Sequence, residues 1–331
     1  MVNNLLEKCS LKILDLFCGA GGFSHGFHTF SNDNHLAIDI DPFALETYRY
    51  NYPHASTLNA DINALHSIEI EKKFGASPDI IIASPPCEEF SKANPESSKT
   101  AATRIYGEGT AKLVLDAIRI IGDLSPKVFV IENVAALLQG GGKRIIQREF
   151  KRVGIENIEY NLIRAHQHGN PSKRLRVFIS NIKLKLERNH PPNVIETIDD
   201  LPSLTTDAIL TPGIDIPNHV FIPLSIDKMK NVQRTRWGQG AKQYRISRKR
   251  SIPNWVRLFP DRVATSINGL SRYIHPFENR LLTVREHARL MSYPDSFIFI
   301  GPTDSQYNQV GESVPPLISR QIAQEVCNHV R

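Results

Sequence analysis

Four side chains of chemically useful types lie at or near the ends of apolar, strand-like runs of the sequence. Cys87 stands just after residues 78–84 ("PDIIIAS"), and Glu132 stands near the end of "KVFVIEN". Arg174 and Arg176, in "SKRLRVF", are two residues apart and would share one face of an extended strand. A thiolate is a strong nucleophile, a carboxyl group can transfer protons, and paired guanidinium groups clamp phosphate or carboxylate. A buried structural role is the alternative for each residue, but together they predict covalent chemistry on a polar substrate.

The segment "DLFCGAGGFSHGF" joins the first apolar run to a helical pattern. Gly19, Gly21 and Gly22 allow a sharp turn and let a ligand approach the backbone, and the start of the next helix favours an anionic group. Asp39 ends the next strand-like run, where an acid can accept hydrogen bonds from ribose hydroxyls. Asp61 ends a third run and could bind an exocyclic amine. A tight structural turn is the alternative, but an adenosine-containing cofactor fits this set better.

The elements that must position these residues alternate between strand and helix. Apolar, β-rich runs predict strands at 11–17, 35–40, 78–84, 127–133 and 175–182. Several are apolar on both faces, which is typical of a covered sheet. Residues 110–124 place Leu113, Ala117, Ile118, Ile121 and Leu124 on one helical stripe. The alternation predicts an α/β fold with an open, mostly parallel sheet, helices on both faces, and ligands at the carboxyl ends of the strands.

The pattern changes after about residue 183, where Pro, Asp and Thr are frequent and no period is sustained. Residues 228–250 then contain nine Lys or Arg and no acid, with Trp237 and Tyr244 among them. A solvated charged face is the ordinary interpretation, but this composition favours a surface that contacts phosphates. Near the end, Thr283 and Glu286 form a capping box, and Pro315 and Pro316 predict the start of a C-terminal helix.

Composition excludes several classes of protein. The 331 residues are 41% hydrophobic and carry a formal net charge of +6, without an apolar run long enough to span a bilayer or a secretory signal pattern. The four cysteines show no CxxC or Cys/His spacing, which argues against a zinc site and a disulfide scaffold. These features predict a cytoplasmic enzyme without a metal, with a polyanionic partner.

Six blocks of the sequence, taken in order, resemble those of DNA (cytosine-5-)-methyltransferases of the prokaryotic restriction-modification type. The resemblance covers nearly the whole chain except the region near 185–262. The blocks are residues 15–23, "SPPCEEFS" (84–91), "ENV" (132–134), "KRLRVF" (173–178), "RLLTVREHARLMSYPD" (280–295) and "QVGESVPP" (309–316).

The resemblance implies a Rossmann-like methyltransferase sheet plus a smaller, irregular target-recognition domain. Residues 1–184 and 300–331 would form the catalytic domain that binds S-adenosylmethionine, and residues 185–299 the target-recognition domain and hinge. The implied activity is methyl transfer to carbon 5 of a cytosine that is flipped out of a specific double-stranded DNA sequence. The protein would be a monomer in the cytoplasm, associated with the nucleoid, and a cognate restriction endonuclease acting separately is an expected partner.

The resemblance also assigns roles to residues. Cys87 would add to carbon 6 of cytosine, Glu132 would engage ring nitrogen 3 and the exocyclic amine, and Arg176, with Arg174 beside it, would hold oxygen 2. The residues implied to bind the cofactor are Phe17, Gly19, Ala20, Gly22, Asp39, Ile40, Asp61, Ile62, Pro86, Ser313 and Val314. The residues predicted to bind DNA, partly from the basic run, are Ser91, Lys92, Arg104, Arg234, Arg236, Trp237, Gln239, Tyr244, Arg245, Arg248, Lys249 and Arg250.

The sequence departs from the family pattern at several positions. Glu312 stands where Asn is usual, while Ser172 and Met291 each stand where Gln is usual. Glu88 and Glu89 place two acids beside Cys87, and their charge would disfavour its thiolate. The alternatives are a tRNA cytosine-5 methyltransferase, a catalytically inactive DNA-binding homologue and, from the glycine loop alone, a nicotinamide-dependent oxidoreductase.

Overall fold

A computed structural model of the protein describes residues 11–30, 34–90, 100–204, 216–247, 250–270 and 272–330. Four residues predicted to bind DNA, Ser91, Lys92, Arg248 and Lys249, lie outside the described residues. Tyr244 and Arg250 are described only in their backbone, within strands. No described helix combines the length and the hydropathy that a membrane crossing needs.

Seven strands of the described residues form one sheet. Their bounds are β1 Ile13–Leu16, β2 His35–Asp39, β3 Ser56–Asn59, β4 Ile80–Ala83, β5 Val128–Val134, β6 Glu159–Arg164 and β7 Leu175–Ser180. The order across the sheet is β3-β2-β1-β4-β5-β7-β6, and all neighbours are parallel except β7, which is antiparallel to both β5 and β6. The chain runs outward in one direction from β1 and in the other from β4, so these two strands flank the switch point where α/β sheets bind ligands.

The helices of the described residues cover this sheet and form a second unit beside it. Their bounds are α1 Ser24–His28, α2 Pro42–Asn51, α3 Ser67–Phe74, α4 Ala101–Ile105, α5 Leu113–Leu124, α6 Gly142–Arg152, α7 Val194–Ile198, α8 Ile226–Arg234, α9 Val284–Leu290, α10 Thr303–Glu312 and α11 Pro316–Val330. Short 3-10 turns occupy Glu88–Phe90, Thr110–Lys112, Ala135–Leu138 and Ala165–Gln167.

Alternating residues of the central strands enter two different hydrophobic clusters. Ile81 and Ala83 of β4 pack with α3, α5 and α6 on one face, whereas Ile80 and Ile82 pack with α1 and α11 on the other. Because both faces are buried, the strands read as continuous apolar runs. The two helices on the second face approach closely, since a Cβ atom at Gly26 would lie 2.4 Å from the backbone nitrogen of Arg320.

The second unit contains a three-stranded sheet of β8 Gly240–Ser247, β9 Arg250–Arg257 and β10 Tyr273–Ile274, in the order β10-β9-β8. Strands β8 and β9 pair antiparallel, with an irregularity between Arg245 and Ser247. A hydrophobic cluster that includes α7, α9 and residues 258–310 also contains Ala20 of the glycine loop. This cluster therefore packs the second unit against the cofactor side of the large sheet.

The strands predicted for the first half of the chain are confirmed to within about two residues, and the helix predicted at 110–124 begins three residues later, after a 3-10 turn. The capping box of Thr283 and Glu286 is confirmed, because each side chain accepts a hydrogen bond from the other's backbone N–H. The C-terminal helix begins at Pro316, as expected. The region predicted to be irregular is more regular than its sequence indicated, since it contains the β8–β9 hairpin. The limits of the two domains stay a prediction.

Candidate active site

The glycine loop connects β1 to α1 through a backbone with unusual angles. Phe17, Gly19 and Gly21 have positive φ values of 57°, 52° and 92°. A Cβ atom at Gly21 would lie 2.6 Å from the Tyr52 ring, whereas one at Gly19 would meet nothing within 4 Å. Gly21 is therefore required for packing, and Gly19 leaves open space above the loop.

Asp39 connects this loop to the end of β2. Its carboxylate accepts hydrogen bonds from the backbone N–H groups of Gly19 at 2.7 Å and Asp41 at 2.9 Å. Burial raises the pKa of Asp39, and the two backbone N–H groups counteract part of that effect. The next residue, Ile40, is 65% exposed, so an apolar side chain faces solvent beside the loop. Asp39 and Ile40 together offer a polar and an apolar contact to a ligand.

Asp61 and Ile62 follow β3 at the same sheet edge. The Asp61 carboxylate is exposed and accepts a hydrogen bond from the Asn63 N–H at 2.9 Å, and Ile62 is buried in the core. From the C-terminal side, Ser313 and Val314 approach the loop, since a Cβ atom at Gly22 would lie 2.8 Å from the Ser313 Cβ and 2.7 Å from the Val314 carbonyl oxygen. Ala20, by contrast, is buried in the hydrophobic cluster of the second unit.

A carboxyl group that sequence analysis did not single out lies beneath the loop. Asp15 of β1 is buried and accepts a short hydrogen bond from the Ser24 hydroxyl, which in turn accepts one from the Tyr48 hydroxyl at 2.9 Å. Burial raises the pKa of Asp15 to about 8. The hydrogen bond from Ser24 lowers this pKa, and the nearby charge of Asp39 raises it further. Its position in "DLF" was visible, but its burial depends on α1 and α2.

Cys87 lies in the loop that follows β4. Ala83, at the end of β4, is the register partner of both Leu16 in β1 and Ile131 in β5, so the loops after these three strands emerge at one edge. Asn133 fixes this loop, because its side-chain amide donates to the Pro85 carbonyl at 3.2 Å. Pro86 and Cys87 are both half-buried. The thiol therefore stands at the sheet edge between the glycine loop and Glu132.

Glu132 and Arg176 form a buried ion pair on the neighbouring strands. Their Oε1 and Nε atoms are 2.9 Å apart, with the side chains only 5% and 14% exposed. The contact is ionic and is not aligned as a hydrogen bond, which leaves hydrogen-bonding capacity on both groups. In the antiparallel pairing of β5 with β7, Val134 stands opposite Arg176. Glu132 is two residues before Val134 on the same face of β5, so it is the diagonal neighbour of Arg176. A small cleft of about 10 Å³ is lined by Glu132, Arg174 and Arg176 together with Val314 and Pro315.

Arg174 has a different set of contacts from Arg176. Its Nη1 donates to the carbonyl oxygens of Ile267 at 3.0 Å and Gly311 at 2.9 Å, and its Nη2 donates to Glu312 at 3.4 Å. Only 3% of the residue is exposed. Burial, followed by the Arg176 charge, lowers the pKa of Arg174 to about 9, so it remains protonated at neutral pH. Its guanidinium connects the end of β7 to the second unit and to the end of α10.

The cluster of Arg174, Arg176 and Glu132 carries a net positive charge. Arg174 and Arg176 carry two charges against the one carboxylate of Glu132, and Arg174 lies within electrostatic range of Cys87. Positive charge beside a cysteine favours its reactive thiolate. Glu89, one of the two acids next to Cys87, accepts a hydrogen bond from the Ala111 N–H at 2.9 Å, at the turn that opens α5. The positive end of that turn offsets its charge.

Two of the three departures from the family pattern, Ser172 and Met291, are in direct contact. The Ser172 hydroxyl contacts the Met291 sulfur at 3.7 Å, and both residues are fully buried. The Asn170 side chain also donates to the Ser172 carbonyl and hydroxyl, at 2.9 and 3.0 Å. The third departure, Glu312, contributes its backbone carbonyl to Arg174. Ser172 and Met291 thus fill one site together.

The predicted DNA-binding residues lie in two places. Arg104 of α4 is half-buried, with its guanidinium 5.4 Å from the centre of the Phe90 ring. The others whose side chains are described are exposed on the second unit: Arg234, Arg236, Trp237, Gln239 and Arg245. The Gln239 side chain accepts a hydrogen bond from the Arg236 N–H at 3.2 Å, which contributes to a local turn.

A glycine loop and a half-buried thiol at the switch point of a doubly wound sheet are the arrangement expected of a nucleotide-cofactor enzyme. Residues 11–328 match the family model for C-5 cytosine-specific DNA methylases, and the chain belongs to that family.

Two relatives and one solved structure agree with this assignment. The chain is 38% identical to M.MjaORF1200P of Methanocaldococcus jannaschii, described as a type II methyltransferase, over 97% of this chain and 99% of that protein. It is 30% identical to the type II methyltransferase M.DdeI of Desulfomicrobium norvegicum, over 96% and 88%. The fold matches an Escherichia coli structure described as a prophage-encoded DNA modification methyltransferase, with a TM-score of 0.75, 22% identity and coverage of 96% and 99%. The protein is a DNA (cytosine-5-)-methyltransferase with a Rossmann-like methyltransferase sheet.

Proposed function

We propose that the protein methylates carbon 5 of a cytosine flipped out of double-stranded DNA, as the modification enzyme of a type II restriction system. The observation that carries this proposal is that three features meet at one sheet edge: the Cys87 loop, the Glu132–Arg176 ion pair and the glycine loop. A stacked cytosine cannot reach a thiol in such a cleft, so the base must leave the duplex. The double-stranded DNA partner follows from the family, and the names of the relatives support the restriction context.

The cofactor we propose is S-adenosylmethionine, and the residues at the glycine loop fit it. The open space above Gly19 permits close approach of a ligand to the backbone, and exposed Ile40 offers an apolar surface for an adenine ring. Each Asp39 carboxylate oxygen keeps a lone pair that can accept a hydrogen bond from a ribose hydroxyl. Asp61 keeps an oxygen that can accept one from the exocyclic amine of adenine. Phe17, in the glycine loop, and Pro86, next to Cys87, complete the residues that we assign to the cofactor. When bound, the cofactor supplies an electrophilic methyl group.

The residues of the cleft then act on the cytosine ring. The Cys87 thiolate bonds to carbon 6, and the electron pair of the 5,6 double bond moves onto carbon 5, which becomes nucleophilic. In this step Glu132 carries a proton: it donates that proton to ring nitrogen 3 and accepts a hydrogen bond from the exocyclic amine. Arg176 donates to oxygen 2, where negative charge develops. After carbon 5 has gained the methyl group, its proton is lost to a base, the bond between the Cys87 sulfur and carbon 6 breaks, and the 5,6 double bond forms again. Arg174 supports the cleft through its hydrogen bonds to the backbone carbonyls of Ile267, Gly311 and Glu312.

The test is bisulfite sequencing of plasmid DNA incubated with the purified protein and S-adenosylmethionine. We expect protected cytosines at one recurring sequence, and none with Cys87→Ala. Duplexes that contain 5-fluorocytosine at the target should trap the wild-type protein covalently, because carbon 5 then has no proton to lose. A parallel incubation with tRNA transcripts tests the alternative substrate. Methylation of tRNA without methylation of DNA, or protection by Cys87→Ala, would overturn the proposal.

A further inference from the structure

An exposed pair of aromatic side chains projects from the second unit. Trp237 is 48% exposed and Phe277 is 60% exposed, although both are large and apolar. Their ring centres are 6.2 Å apart in an edge-to-face arrangement with an angle of 78°. A contiguous exposed apolar surface on a protein of this kind marks an interaction site more often than a lone exposed residue does.

The pair is held rigidly by the backbone on which it stands. The Trp237 indole N–H donates to the Pro276 carbonyl at 2.9 Å, which connects the two segments directly. Gly238 has a φ of 77°, and a Cβ atom there would lie 2.7 Å from the Phe259 ring, so a glycine is required next to Trp237. The backbones of Gly238 and Gln239 also exchange hydrogen bonds with Arg257, at 2.8 and 3.0 Å.

One buried guanidinium fixes both segments from below. Arg257 is 6% exposed and donates to the carbonyls of Thr235 and His275, each at 2.8 Å, and of Glu278 at 3.0 Å. Thr235 precedes the Trp237 segment, and His275 and Glu278 flank Phe277. The backbone beside both rings is therefore held by hydrogen bonds before any partner binds, which lowers the entropic cost of association.

The charges around the pair indicate its partner. Lys228, Lys230, Arg234, Arg236, Lys242 and Arg245 are all exposed on the same unit. The nearest acids in the sequence are already paired, because Asp227 lies 3.9 Å from Lys230 and Glu278 binds Arg280. An apolar projection on a unit that also exposes these cations complements a polyanion with a stacked apolar interior, which describes double-stranded nucleic acid.

We propose that Trp237 and Phe277 form an apolar wedge that enters between stacked base pairs of the DNA substrate while the surrounding cations contact the phosphates. This proposal rests on the DNA-methylating function proposed above. The wedge partly unstacks one base step, and the rigid support of Arg257 lets the protein hold the DNA in that shape. Its contribution to affinity comes from stacking and therefore does not depend on salt.

The salt dependence of DNA binding separates a wedge from a phosphate contact. Dissociation constants for a target duplex are measured over a range of salt concentrations for the wild type, Trp237→Ala, Phe277→Ala and Arg234→Ala. Each aromatic variant should bind about 5- to 100-fold more weakly with an unchanged slope of log K against log salt. Arg234→Ala should instead reduce that slope by about 1. Ile68→Ala, which removes a 63% exposed side chain from α3, is the matched control and should bind as the wild type does.

A second measurement locates the wedge. Duplexes carry 2-aminopurine at single positions other than the target cytosine, and its fluorescence rises where a base is unstacked. The wild type should show one unstacked step beside the target that disappears in Phe277→Ala, a variant that breaks no side-chain hydrogen bond. Unchanged affinity in both aromatic variants, or a reduced salt slope like that of Arg234→Ala, would overturn the wedge. If either of these outcomes is found and the wild type still methylates DNA, the wedge is wrong and the proposed function is retained. Failure of the wild type to methylate DNA would instead remove the function itself.

Discussion

Arg174 offers a decisive test of how the catalytic strand is held. The sequence placed it with Arg176 as a residue acting on the base, whereas its guanidinium donates to three backbone carbonyls on other segments. In Arg174→Ala these buried carbonyls lose their donor. A hydrogen bond to a charged group contributes about 1.5–3 kcal/mol, so the two short bonds, at 3.0 and 2.9 Å, predict a loss of about 3–6 kcal/mol. That is a large part of the roughly 5–15 kcal/mol that stabilises a typical protein.

The assay is urea denaturation of the protein without cofactor or DNA, followed by intrinsic fluorescence. Arg174→Ala should unfold at a clearly lower urea concentration than the wild type. Arg174→Lys should fall between them, since an ammonium keeps the charge but lacks the fork that reaches separate carbonyls. Arg164→Ala is the control, because Arg164 is exposed at the end of β6 and its removal should change stability by less than about 0.5 kcal/mol. An Arg174→Ala protein that is as stable as the wild type but inactive would refute the structural role and favour direct contact with the base.

Three further predictions concern stability. Asp15→Asn removes a group whose folded-state pKa is raised to about 8 from 3.8, so the stability of the wild type relative to the variant should fall as pH rises from about 4 to about 8, measured by urea denaturation at both ends. Glu89→Ala should cost about 1 kcal/mol, because the Ala111 N–H loses its acceptor, while Glu89→Gln should retain most of it in the same assay. Ser172→Gln and Met291→Gln should each destabilise a packed core and show non-additive effects in a double-mutant cycle; additive effects would contradict their direct contact.

The sheet was predictable because its signal is local. Ile80 to Ala83 are apolar at every position, and burial on both faces is the simplest reason for such a run. The hairpin of β8 and β9 was not predictable in the same way. Its strands are rich in Lys and Arg and contain Pro253, so they lack the apolar alternation on which strand prediction depends.

The candidate site likewise contains residues that local sequence patterns predict and residues whose role depends on distant contacts. Cys87 and Glu132 could be found because Cys87 follows β4 and Glu132 lies near the end of β5, and the ends of these parallel strands meet at one sheet edge. The role of Arg174 could not be found, because its partners Ile267 and Gly311 lie 93 and 137 residues further along the chain. Nothing in "KRLRVF" distinguishes the arginine that faces Glu132 from the one that supports the second unit. Alternation put both on one face, and only tertiary contacts separate them.

The acids beside the nucleophile posed the sharpest conflict with the proposed chemistry, since negative charge opposes thiolate formation. Glu89 resolves part of it, because its carboxylate accepts a hydrogen bond from Ala111 at the turn that opens α5, where the positive end of the backbone dipole offsets the charge. On the opposite side of Cys87, Arg174 and Arg176 outnumber the carboxylate of Glu132. Arg174 therefore supplies positive charge near the thiol, which opposes the effect of the acidic sequence neighbours. The same hydrogen bond ties the Cys87 loop to α5, so the acid that looked unfavourable in the sequence also positions the sulfur.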